Sequence, residues 1–184
     1  RKYGVRSAMP TSEARRRCPD GIYIFPRHAR YAEISEIVFS VFAEVTPMIE
    51  GLSLDEAFLD VTASLRLFDS IEAIGRRVKE AIRARTGLNA SVGMAHNKLL
   101  AKLASELSKP DGFLHIHPEE VQGYLDPLPI GRMWTVGKVA EEALHKVGIR
   151  TIGDLVRADA WRLNKAVGER HAAQLRLLCR GEDR

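Results

Sequence analysis

Apolar positions recur at helical spacing in three stretches and as short runs between them. Ile34, Val38, Val41, Phe42 and Val45 predict a helix over about 29–45 that Pro47 ends. Ile71, Ile74, Val78 and Ile82 predict another over 68–85, with Gly87 placed to cap its C-terminus. Leu99, Leu100, Leu103, Ala104 and Leu107 form the stripe of a third over 97–108, stopped by Pro110-Asp111-Gly112. The runs 22–25, 49–61, 89–95 and 113–116 read as strands. A short helix over 12–17, with Thr11 or Ser12 as its N-cap, comes first, and Cys18-Pro19-Asp20-Gly21 is a turn. Residues 22–117 thus run β-α-β-β-α-β-α-β, an α+β layer of sheet with helices on one face. From Glu119 onward the pattern is all helical, broken at Gly131, Gly137, Gly148, Gly153 and Gly168, and predicts a second, small helical domain.

The run 51–62, GLSLDEAFLDVT, carries an anomaly. It sets Asp55 and Glu56 side by side among Leu52, Leu54, Phe58, Leu59 and Val61. A buried charge must be paired, protonated or bound to a metal, and the first reading is that this pair holds hard cations. A regular strand points neighbouring residues to opposite faces, so serving one site requires a bend, hairpin or bulge near the pair.

Charge sharpens this picture. Residues 1–30 carry eight Lys/Arg against two Asp/Glu, residues 31–74 one against nine, and residues 75–110 eight against two. Such alternation is either solvated surface or a means of bringing a polyanion to the acidic block. No apolar run is long enough to span a membrane, and the start has no signal-peptide pattern. Cys18 and Cys179 stand alone, which makes a reducing compartment the default. Arg1-Lys2-Tyr3-Gly4 has no initiator Met and reads as a helix end closed by Gly4, so the sequence is expected to be a piece of a longer chain.

Other constellations are weaker. Lys98, Lys102 and Lys109 share one helix face and form either a solvated surface or a phosphate contact. The turns Thr135-Val136-Gly137-Lys138 and Ala166-Val167-Gly168-Glu169 each lead into a helix. They are either glycine caps or helix–hairpin–helix turns whose amides meet a DNA phosphate. His115 and His117 have the alternation of metal ligands, but with no third ligand nearby in sequence an edge-strand surface explains them. Trp134 and Trp161 read as core. There is no Ser–His–Asp pattern, Walker loop or zinc signature.

Taken together, five segments resemble the Y-family DNA polymerases, in particular the DinB-type translesion enzymes. They are RKYGVRSAMP (1–10), SLDEAFLD (53–60), SVGMAHNK (91–98), ASELSKPDG (104–112) and GIRTIGDL (148–155), in the family's order and across nearly the whole sequence. The resemblance implies partial fingers at 1–27, a palm at 28–117 and an all-helical thumb at 118–184. It also implies that the little finger and the first palm strand lie outside the sequence. By this resemblance Asp55 and Glu56 bind two Mg²⁺, for which Mn²⁺ can substitute, and Glu56 is the key catalytic acid. Arg1 and Lys109 match nucleotide-binding residues, and Ser7 and Ala8 match small residues over the nascent base pair. Ser53, Lys98, Lys102, Gly137, Lys138 and Gly168 are candidate DNA contacts.

The implied activity is template-directed addition of dNTPs to a primer 3′-OH on primer–template DNA, at low fidelity. The implied protein is a cytoplasmic monomer that meets a sliding clamp through regions outside this sequence. Two departures stand out. The family's third metal-binding aspartate and its ribonucleotide-screening residue would precede Arg1, so this stretch is not expected to polymerise by itself. Thr135 stands where the family usually has the first hairpin glycine. The rival readings are a non-catalytic DNA-binding relative, against which the presence of both acids argues, and a palm-domain nucleotidyl cyclase, in which basic fingers and a glycine-hairpin thumb have no role.

Overall fold

The computed structural model describes residues 2–183. It divides into two units, one ending at Glu33 and the other beginning at Ile34.

In the first unit α1 (Thr11–Arg17) starts from Pro10, with no side-chain cap, in place of the expected Thr11 or Ser12 hydroxyl. Glu13 in the first turn and Arg15, Arg16 and Arg17 in the last complement the helix dipole. The segment 22–25 is not a strand. Ile22, Ile24 and Phe25 are 94, 83 and 94% exposed, and nothing among the described residues pairs with them. Apolar content suggests a strand, but a ladder needs a partner to satisfy its amides and carbonyls. Helix α2 (His28–Ala43) crosses the division between the units.

In the second unit the run 49–61 is a hairpin. β1 (Ile49–Gly51) pairs antiparallel with β2 (Ala57–Leu59), with Ile49 opposite Leu59 and Gly51 opposite Ala57. Val41, Phe42 and Val45, together with Ile74, Val78 and Ile82 of α3 (Ile71–Thr86), bury against Ile49, Ala57 and Leu59. Helix α3 closes as expected at Gly87, φ +74°, but begins at Ile71 and not at 68, because the Ser70 hydroxyl accepts from the Ala73 amide at 3.1 Å and caps it there.

β3 (Val92–Met94) and β4 (Phe113–His115) pair in parallel, with Val92 opposite Phe113. A parallel pair requires a crossover, and α4 (Lys98–Leu107) supplies it. Helix α4 lies directly on β3. A Cβ on Gly93 would fall 2.1 Å from the Ser105 amide nitrogen and 2.2 Å from the Ala101 carbonyl oxygen. Glycine at 93 is therefore what lets the helix, and its lysines, come this close. The α+β class holds, with the named strands in two two-stranded sheets.

The remainder is helical as predicted: α5 (Val121–Leu125), α6 (Lys138–Lys146), α7 (Ile152–Arg157), α8 (Ala160–Val167) and α9 (Glu169–Leu178). Its core contains Leu144, Leu163 and Leu175, and the same cluster takes in Leu100 of α4 and Ile116. Fully burying such a side chain is worth roughly 1.5–3 kcal/mol. The start of α4 is tied to the chain's last turn as well. Asn97 accepts from the Leu100 amide at 3.0 Å and donates to the Gly181 carbonyl at 2.6 Å. Leu107, expected in the apolar stripe, is exposed at the helix end. Trp134 and Trp161 are not core, being 57 and 67% exposed. Trp134 lies 6.5 Å from the Phe58 ring and Lys165 sits over Trp161 at 4.9 Å. No helix among the described residues is long and apolar enough to cross a membrane.

Candidate active site

Asp55 and Glu56 occupy the loop of the β1–β2 hairpin. The amides of Leu52 and Ser53 both donate to the Glu56 carbonyl, at 2.8 and 3.2 Å. The reversal that a shared site requires is therefore built by the backbone. It also removes the burial conflict expected from sequence. Leu52, Leu54 and Asp55 are exposed and Glu56 is half-buried, because these residues form a loop and not the middle of a strand.

Ser53 fixes its neighbour. Its hydroxyl donates to Asp55 Oδ1 at 2.6 Å and accepts from the Asp55 amide at 3.3 Å, a local side-chain turn that limits the carboxylate's orientations. Ser53 thus has an intramolecular partner at the position expected to lie near DNA.

The lysine face of α4 meets the hairpin. Lys102 donates to Glu56 Oε2 at 2.7 Å, and Lys98 pairs with Glu50 of β1 while lying 5.8 Å from the centre of the Phe58 ring. Lys109, just beyond the helix, pairs with Glu106. All three predicted phosphate ligands are therefore counter-ions of carboxylates here. The Glu106 carboxylate holds the Lys109 ammonium above its ordinary pKa, and the charges of Glu56 and Asp55 add to the effect. Lys109 thus lies in the field of the hairpin acids, at the edge of the site they define.

Sequence reasoning missed Lys79. From α3 its ammonium donates to the Asp111 carbonyl at 2.9 Å, to Asp111 Oδ1 at 2.7 Å, to the Gly112 carbonyl at 3.2 Å and to the Ala90 carbonyl. It clamps the turn that follows Lys109. No local pattern marks it, because the partners lie up to 33 residues away.

The two carboxylates suit Mg²⁺, which takes hard oxygen donors and is commonly held by one or two carboxylates plus substrate phosphates. Among the described residues no third His, Cys, Asp or Glu donor forms a metal-binding cluster with them. Arg1 lies outside the described residues. Ser7 and Ala8, in the first unit, are exposed in a turn closed by the Met9 amide on the Arg6 carbonyl at 3.3 Å, with Ala8 at φ +61°.

The two glycine turns differ. Gly137 precedes α6 at φ −81°, and a Cβ there would meet nothing within 4 Å. Its own fold does not demand glycine, and the space in front of the helix, beside Lys138, is open. Thr135 carries a buried hydroxyl with no hydrogen-bond partner among the described residues. Gly168 sits at φ +81°, ψ 154°, a conformation that by itself calls for glycine, and Glu169 follows it. Glu169 opens the helix after Gly168, whereas Lys138 opens the helix after Gly137.

Comparison with known proteins bears on the same residues. Residues 1–106 match the impB/mucB/samB family, and residues 118–149 match the IMS family HHH motif, which includes the Gly137 turn but not the Gly168 turn. DNA polymerase IV of Desulfatibacillum aliphaticivorans is 49% identical over 155 residues, 84% of this chain and 39% of the relative. DNA polymerase IV of Halorhodospira halophila is 44% identical over 183 residues, 100% of this chain and 51% of the relative. The chain therefore spans about half the length of such curated relatives. Among solved structures, DinB from Sulfolobus solfataricus superposes with a TM-score of 0.86 at 32% identity, over 100% of this chain and 55% of that one. The insertion ternary complex of Dbh DNA polymerase gives 0.85 at 32%, over 99 and 53%. The fold is that of the Y-family polymerases along the whole stretch, and with more than half of the sequence matched, the chain belongs to the impB/mucB/samB family.

Proposed function

We propose that this chain is the fingers, palm and thumb portion, with boundaries near 27/28 and 117/118, of a translesion DNA polymerase. The whole protein would add dNTPs to a primer 3′-OH on primer–template DNA. The observation that carries the reading is the hairpin that presents Asp55 and Glu56 together at an accessible loop, faced by Lys102 and within the field of Lys109. Relatives named DNA polymerase IV support it.

Asp55 and Glu56 would hold Mg²⁺, two ions by the family resemblance with Mn²⁺ as a substitute, and that group supplies charge that activates the 3′-OH and neutralises the α-phosphate and leaving pyrophosphate. Ser53 orients Asp55 for that task. Lys102 keeps Glu56 neutralised until a cation takes its place. Lys109, with Arg1, would bind the triphosphate. Ser7 and Ala8 would leave room over the nascent pair, and Gly137 with Lys138 would take a template or primer phosphate on backbone amides. Phosphate contact of this kind positions the duplex without reading sequence. A cytoplasmic, monomeric enzyme that meets a sliding clamp elsewhere in the protein is consistent with this reading.

The test is primer extension by the full-length protein with dNTPs and Mg²⁺. Extension of a primed template is expected. Tight DNA binding without extension would favour the non-catalytic relative, and conversion of a nucleoside triphosphate to a cyclic product without a template would favour the cyclase.

A further inference from the structure

We propose that Glu72, His115 and His117 form a binding site for one divalent transition-metal ion of the zinc class, independent of the Asp55–Glu56 pair. The alternation of the two histidines lacks a third ligand in sequence. The fold supplies it from 43 residues away, where Glu72 Oε1 lies 2.6 Å from His115 Nδ1. One donor atom from each of the three residues lies within 4.8 Å of the others. A tetrahedral ion with ligand bonds of about 2.0–2.1 Å holds its donors about 3.3 Å apart, so small side-chain rotations close the set.

The elements around the group are fixed independently of any ion. Glu72 is in the first turn of α3, which Ser70 caps. His115 ends β4 opposite Met94, and the next amide, that of Ile116, donates to the Met94 carbonyl at 2.9 Å while the Ile116 side chain is fully buried. The His117 amide donates to Glu120 Oε2 at 3.3 Å. The His115 and His117 rings are 3.9 Å apart, with 41° between their planes. Glu72 and His115 are half-buried and His117 is exposed, which leaves a fourth coordination position open to water or an exogenous ligand.

Ligand type separates this group from the hairpin. Two imidazoles and one carboxylate favour zinc and its neighbours in the transition series, whereas magnesium favours oxygen donors alone. A bound ion would pin the start of α3 to the end of β4, and the existing Glu72–His115 contact already joins the same two elements.

The experiment is calorimetric titration of Zn²⁺ into metal-stripped protein, with Co²⁺ absorption as a second readout of nitrogen ligation. Wild type, His117→Ala, Glu72→Gln and Asp55→Asn/Glu56→Gln are compared. One ion per chain is expected, with affinity falling at least about 10-fold in His117→Ala and Glu72→Gln and unchanged in the hairpin double variant. His117→Ala keeps the backbone amide that bonds Glu120, and circular dichroism checks that the fold is retained. No binding by wild type would overturn the site, as would equal binding by His117→Ala or loss confined to the hairpin variant.

Discussion

Lys102 on α4 donates to Glu56 Oε2 across 2.7 Å, joining the crossover helix to the hairpin loop. The ammonium places a positive charge directly against the carboxylate pair. A metal ion at the pair must compete with it. For Lys102→Gln we expect a stability change within about 1 kcal/mol, as for other partly exposed pairs. We also expect primer extension by the full-length protein to reach half-saturation at lower Mg²⁺. An unchanged Mg²⁺ dependence would mean that Lys102 does not compete for the carboxylate.

Lys79 acts through the turn it clamps. Replacing it with Met removes its hydrogen bonds to Asp111, Gly112 and Ala90; the Gly112 carbonyl keeps the Val92 amide, while the Asp111 and Ala90 carbonyls lose the Lys79 donor. A loss of about 1–3 kcal/mol in chemical denaturation is expected. Because the turn follows Lys109 directly, the apparent KM for nucleotide should rise more than kcat falls. Equal loss in both, with stability unchanged, would remove Lys79 from this role.

The two glycine turns separate binding from folding. Gly137→Ala meets no neighbouring atom and keeps an ordinary φ, so Tm should be unchanged or slightly higher while affinity for duplex DNA falls. Gly168→Ala forces a side chain into φ +81° and should lower Tm. Binding titrations and thermal melts of both variants check the contrast; a Gly137→Ala protein with native DNA affinity would take this turn off the phosphate backbone.

Asp154 predicts a pH dependence. Its carboxylate accepts from the Thr151 and Arg150 amides at 2.9 and 3.0 Å at the start of α7, which lowers its pKa from the ordinary 3.8 to about 2. A group with a depressed folded-state pKa stabilises fully above its unfolded value and loses that contribution as pH falls through the folded value. Wild type should therefore melt above Asp154→Asn at pH 6, and the gap should close between about pH 4 and pH 2. A gap that stays constant over that range would contradict the assignment.

Much of this was legible in sequence because it is local. The Ile71, Ile74, Val78 and Ile82 spacing and the Gly87 cap define α3 to within a few residues, whereas its Ser70 cap appeared only in the fold. The adjacency of Asp55 and Glu56 marked the site. The turn that makes the pair useful was not legible, because Leu52 and Leu54 in the loop look like strand residues. Nor were Lys102 with Glu56, Lys79 with Asp111 or His115 with Glu72, which pair across 46, 32 and 43 residues. The segment 22–25 differs for the opposite reason: its apolar content suggests a strand, but no partner strand among the described residues completes one.

The central claim is that Asp55 and Glu56 act together on the reacting nucleotide. The most direct measurement is the single-turnover rate of correct dNTP incorporation by the full-length protein carrying Glu56→Gln or Asp55→Asn, with DNA affinity measured in parallel. The expected result is a fall of at least about 10²–10³-fold in rate for each variant, the scale of lost transition-state charge stabilisation, with DNA affinity within a few-fold of wild type. Incorporation at close to the wild-type rate by either variant would contradict it.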